Sequence, residues 1–166
     1  MHLEGSCHCR AVTFSVESAH PVPYMRCYCS VCRKTGGGGG YAINLGATHN
    51  SLSLQGKENI RVYQAMIEDP QTGKTSKSPA ERSFCGLCGT ALWVWDSRWP
   101  ELLHPFASAI DSDLPAAPSH NHIMLEFKAS WVPLERAEND ACFDAYPDES
   151  LADWHERMGL AAQVDN

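Results

Sequence analysis

The chain has 166 residues, 43% of them hydrophobic, and 20 acidic against 13 basic side chains for a formal charge of -7. Such a charge repels a phosphate backbone, and Arg33-Lys34 with the scattered Lys57, Arg61, Lys74 and Lys77 form no patch that would reverse it, so nucleic acid is excluded as a partner. No run of apolar residues is long enough to span a bilayer, and Met1 to Gly5 has neither a basic start nor an apolar stretch, which predicts no membrane segment, no secretion signal and a cytoplasmic protein of one domain over residues 1–166.

In chain order, Gly5-Ser6-Cys7-His8-Cys9 comes first, a pair of cysteines behind a glycine that permits a turn. Ala11 to Val16 alternates as a strand does. Cys27-Tyr28-Cys29-Ser30-Val31-Cys32 follows, then Arg33-Lys34-Thr35 and five consecutive glycines, Gly36 to Gly40. Strand-like segments recur at Tyr41 to Leu45, Ser51 to Leu54, Ile60 to Tyr63, Ala91 to Trp95 and His122 to Phe127, separated by turn signals such as Leu45-Gly46 and Gln55-Gly56. The polar stretch Asp69 to Pro79 reads as an exposed loop, and Leu114 to Pro118 as an irregular connection. Near the end, Asp148 is placed to cap a helix over Glu149 to Met158, with Leu151, Trp154 and Met158 on one face before Gly159. The predicted fold is therefore mostly β, of packed antiparallel sheets with zinc knuckles and one short C-terminal helix.

Seven of the eight cysteines lie in three tight clusters: Cys7 and Cys9; Cys27, Cys29 and Cys32; Cys85 and Cys88. In a reducing compartment, clustered thiols bind metal more readily than they form a disulfide framework. Tetrahedral zinc in a structural site takes four ligands, commonly two pairs from distant parts of the chain. Cys85-Gly86-Leu87-Cys88-Gly89 has the form of a zinc knuckle, and Cys7 and Cys9 are its expected partners if their segment is kinked. The triplet supplies three thiolates and leaves a coordination position free, as a catalytic zinc requires for substrate or water. All three sulfurs converge only if the segment turns sharply. The alternative is a second closed site whose fourth ligand is Cys142, His104, His120 or His122. Two Zn2+ per chain are expected, and they make the net charge still more negative.

The glycine run reads either as a flexible loop or as a backbone surface that offers N–H groups to carboxylates, with Gly37, Gly38, Gly39 and Gly40 as candidate substrate contacts and Arg33 and Lys34 supplying charge. Trp93 and Trp95 share one face of a strand and are assigned to the core. His122 and Trp131 are assigned to the core in the same way, His122 with no pairing partner visible in the sequence, and Cys142 reads as a free buried thiol.

Taken together, Gly5-Ser6-Cys7-His8-Cys9, Cys27-Tyr28-Cys29-Ser30-Val31-Cys32-Arg33-Lys34, Phe84-Cys85-Gly86-Leu87-Cys88-Gly89-Thr90 and the late His122-Ile123 with Trp131 resemble the glutathione-dependent formaldehyde-activating enzyme family, which includes the centromere protein V domain. The resemblance runs from about residue 3 to residue 135, leaving a C-terminal extension with the helix at about 148–158. It implies a carbon–sulfur lyase of mostly β fold with two zincs. By the resemblance, Cys7, Cys9, Cys85 and Cys88 match the structural site, and Cys27, Cys29 and Cys32 the catalytic one. The implied reaction joins formaldehyde to the glutathione thiol, so that the partners are a small thiol such as glutathione and an aldehyde. Homo-oligomerisation is left open. The competing class is a non-enzymatic zinc module with both sites closed that serves a protein partner.

Overall fold

The computed structural model describes residues 1–69 and 71–160. Four sheets form among the described residues. In the three-stranded sheet, β1 (His2–Ser6) and β6 (Ser53–Gln55) flank β2 (Thr13–Glu17), all antiparallel. The five-stranded sheet has the order β5, β12, β11, β10, β7 and is antiparallel throughout: β5 is Ala47–Thr48, β7 Ile60–Tyr63, β10 Ala80–Cys85, β11 Ala91–Asp96 and β12 Leu102–Pro105. A four-stranded sheet joins β14 (Ala141–Cys142), β13 (His120–Ile123), β3 (Tyr24–Cys27) and β4 (Ala42–Asn44). This last sheet is mixed, since β13 runs parallel to both β3 and β14. Parallel neighbours need a long connection, and here nearly a hundred residues, β4 and strands of the other sheets among them, supply it.

Two apolar clusters form, one on each side of β11. Leu3, Val12, Phe14, Val16, Leu92, Trp93 and Leu103 pack together with Cys7 and Cys85. Phe106, Val94, Ala42 and Ile123 pack with Cys27 and Cys32. Trp93 and Val94 are consecutive on β11 and fall in different clusters, whereas Leu92 joins Trp93 where the register with β10 shifts at Ser83/Phe84. The Phe14 and Trp93 rings meet edge to face at 5.1 Å, and Trp95 packs partly buried on the same side as Trp93. Each cysteine group is thus rooted in its own core.

Several expectations are corrected. The polar segment Asp69 to Pro79 is not all loop: β8 (Met66–Glu68) and β9 (Thr75–Lys77) pair as an antiparallel hairpin. Both of its faces are exposed, so no alternation of apolar residues marked it. The strand expected over His122 to Phe127 ends at Ile123, because Met124 turns to φ +61 and Leu125–Phe127 wind into a 3-10 turn. The C-terminal helix α2 is Leu151–Arg157, and its cap is Ser150, not Asp148. Ser150 accepts from the Asp153 backbone N–H, and the Asp153 carboxylate reaches back, closing a capping box. Trp154 is buried on this helix while Met158 is exposed. No helix among the described residues is long and apolar enough to cross a membrane.

Candidate functional site

Two short helical or turned segments bring the cysteines together. Cys7 closes a turn after β1, in which its N–H donates to Val12 O and its carbonyl accepts from Arg10, held at φ +62. Cys85 ends β10 and repeats the pattern: its N–H donates to Thr90 O and its carbonyl accepts from Gly89, at φ +76. The four sulfurs of Cys7, Cys9, Cys85 and Cys88 lie within 4.8 Å of one another. Cys9 is 3.5 Å from Cys7 and 3.8 Å from Cys85. Four thiolates on one tetrahedral zinc at about 2.3 Å would be about 3.8 Å apart, so this donor set fits that ion. Backbone geometry supports the charge: Val12 N–H points at Cys7 Sγ at 3.2 Å, and hydrogen bonds from the Thr90 hydroxyl and nearby backbone lower the Cys88 thiol to about 5.

The triplet is built differently. Cys27 ends β3, Cys29 is the N-cap of α1 (Ser30–Gly36), and Cys32 lies in its first turn. That helix, unforeseen in the sequence, supplies the sharp turn the spacing demanded. Cys29 Sγ accepts the Cys32 backbone N–H at 3.3 Å, doing with sulfur what a serine oxygen does at an ordinary cap. The three sulfurs lie within 4.8 Å of one another, Cys27 and Cys32 buried and Cys29 partly open. Hydrogen bonds from Cys27 and Cys32 lower Cys29 to about 2 against the opposing effect of burial, and the same bonding to Cys29 pushes Cys27 up. Three sulfurs this close together would suit a cation, which deprotonates the thiols that ligate it.

Among the described residues, no histidine, cysteine or carboxylate joins these three within that distance. The four side chains considered as a fourth ligand are engaged elsewhere. His104 Nδ1 is 3.1 Å from Leu45 O. Cys142, half-buried rather than buried, has Arg136 Nη1 at 3.8 Å. His120 and His122 both face Asp140, at 3.2 and 3.1 Å. His122 is fully buried, and its Nδ1 lies 2.8 Å from the hydroxyl of Tyr28, the residue between Cys27 and Cys29. With His122 Nε2–H donating to Asp140, Nδ1 accepts from Tyr28, and one tautomer satisfies the whole chain. Burial would raise the Asp140 carboxyl, but hydrogen bonds from His122, Ala137 N–H and His120 outweigh it and hold the group well below the usual range. This network was missed in the sequence, where Tyr28, His122 and Asp140 lie far apart.

The glycine run is only partly free. Gly36 closes α1, and Gly40 donates its N–H to Gly37 O at 3.2 Å. A Cβ on Gly37 would sit 2.0 Å from Tyr41 O, and one on Gly40 2.3 Å from Val132 Cγ2, whereas Gly38 and Gly39 meet nothing within 4 Å. Lys34 is exposed beside them, and Arg33 Nε is shut off from solvent without a partner.

A family model described as "Glutathione-dependent formaldehyde-activating enzyme" matches residues 2–126. The chain belongs to this family. A protein of Halomonas elongata named "Putative glutathione-dependent formaldehyde-activating enzyme" is 60% identical over 160 residues, covering 96% of this chain and 98% of that protein. A crystal structure of a Rhodobacter sphaeroides protein is similar at 28% identity with a TM-score of 0.52, covering 68% of this chain and 91% of that one. The family match contains all seven clustered cysteines, while β14, Asp140 and α2 lie beyond it.

Proposed function

We propose that this chain is a zinc-dependent carbon–sulfur lyase that interconverts glutathione plus formaldehyde with S-hydroxymethylglutathione, using one architectural and one working zinc. In the forward direction a carbon–sulfur bond forms between the thiol sulfur and the aldehyde carbon, and the thiol proton ends on the aldehyde oxygen. The observation that carries the reading is the convergence of Cys27, Cys29 and Cys32 without a fourth protein ligand among the described residues, in a chain of this family. Cys7, Cys9, Cys85 and Cys88 would hold the architectural ion. A zinc held by the triplet would supply Lewis acidity that makes a thiol a nucleophile at neutral pH.

The protein's own groups bind and orient. Arg33 and Lys34 sit directly after Cys32 and would draw the carboxylates of glutathione toward a chain that otherwise repels them. The open backbone of Gly38 and Gly39 lets a peptide ligand approach closely. The Asp140–His122–Tyr28 chain holds the loop between Cys27 and Cys29 from behind, as outer partners hold metal ligands elsewhere. Exchange NMR on glutathione and formaldehyde tests the reading: wild type should accelerate interconversion with the adduct, and Cys29→Ala should return it to the rate in buffer. Equal rates with and without wild-type protein would overturn it.

A further inference from the structure

A cleft of about 360 Å³ opens beside α1 against the five-stranded sheet, walled by Thr35, Tyr63, Phe84, Ala91 and Phe106, with Arg82 the one charged side chain among its described lining residues. It adjoins the triplet through shared walls. Ala91 and Phe106 pack in the same apolar cluster as Cys27 and Cys32. Gly36 holds the end of α1 against them, its Cβ position 3.4 Å from Ala91 Cβ and from Phe106 Cε1. Thr35 follows Cys32 by one helical turn, a rise of about 4.5 Å. Arg82 lies opposite Val94 in register, on the face of β10 that also carries Ala80, and both neighbours belong to the cysteine cluster.

Arg82 acts on the Cys32 thiol through charge, but its guanidinium fork lacks a good acceptor. Arg82 Nε is shut off from solvent with no acceptor, and the hydrogen bond of its guanidinium to Ala80 O is long at 3.4 Å. Among the described residues no carboxylate pairs with it. A buried donor without an acceptor is costly, and the guanidinium fork matches a carboxylate with two parallel bonds. The remaining wall offers apolar surface of the kind that covers a carbon chain.

We propose that this cleft is a subsite for the thiol substrate, in which Arg82 binds a carboxylate and the wall of Tyr63, Phe84 and Phe106 covers the stem that links it to the sulfur. The inference rests on the thiol-using reading above and extends it to substrate class: thiols that carry a carboxylate on an apolar stem. The test is calorimetric titration of the metallated protein with mercaptohexanoate, mercaptohexanol and glutathione. Wild type should prefer mercaptohexanoate to mercaptohexanol. Arg82→Gln should weaken mercaptohexanoate about ten- to a hundredfold while leaving mercaptohexanol nearly unchanged, and Arg82→Lys, which keeps the charge and loses the fork, should fall between. The Lys variant carries the comparison if the Gln variant does not fold. An equal loss for both probes, or none for mercaptohexanoate, overturns the subsite while glutathione binding by wild type leaves the proposed function standing. Failure of wild type to bind any of the three overturns both.

Discussion

Cys85 and Cys29 are both metal-capable thiols, yet their surroundings give them different consequences. Cys85 is fully buried in the larger core and lies 3.8 Å from Cys9, so its sulfur helps to tie the N-terminal turn to β10. Structural zinc contributes about 10–16 kcal/mol in small peptides. If Cys85→Ala loses only a third of that, roughly 4 kcal/mol, the melting temperature falls by about 8–16 °C at this chain length. Cys29→Ala removes the partly open sulfur at the start of a seven-residue helix, a loss of a cap worth about 1 kcal/mol. Thermal melts of the two metallated variants check this, and equal large losses would end the division into architectural and working sites. At this scale the cysteines were legible because ligand-bearing residues bunch along the chain. Arg82 was not, since nothing near it in sequence marks its Nε as lacking an acceptor. His122 and Asp140 were illegible for the same reason: each has a role only through the partner that folding delivers.

At the scale of elements, the four glycines after Gly36 separate into two kinds. Gly37 and Gly40 are pressed against Tyr41 O and Val132, and Gly40 sits at φ +98, so a side chain at either must displace its neighbours. Gly37→Ala and Gly40→Ala are each expected to lower stability by about 1–3 kcal/mol. Gly38→Ala meets open space and should be neutral or up to about 1 kcal/mol stabilising, because alanine reduces the freedom of the unfolded chain. Denaturant titration of the three variants reads the difference, and a large loss for Gly38→Ala would show that this backbone is constrained by something other than the contacts of Gly37 and Gly40. A run of identical residues gives no sequence signal for such a distinction. The helix α1 was hidden for a related reason: its cap is a cysteine and its last residue a glycine, neither of which advertises a helix start or interior.

For the whole molecule, the proposed reading predicts two zinc ions per chain, one for each sulfur cluster. Metal analysis of protein purified without chelator should give two, and graded chelation should release the triplet ion before the fold is lost. A stoichiometry of one would leave the triplet without a stable ion. The mostly β fold, the cysteine clusters and the family were set by the sequence alone, because strand alternation and metal-ligand spacing are local along the chain. That the two expected cysteine pairs do meet, whether a fourth side chain reaches the triplet, and where Arg82 lies beside it were decided only by tertiary structure. Those depend on β10 meeting the N-terminal turn and on β3 lying parallel to β13, contacts between residues about eighty to a hundred apart whose geometry no local pattern encodes.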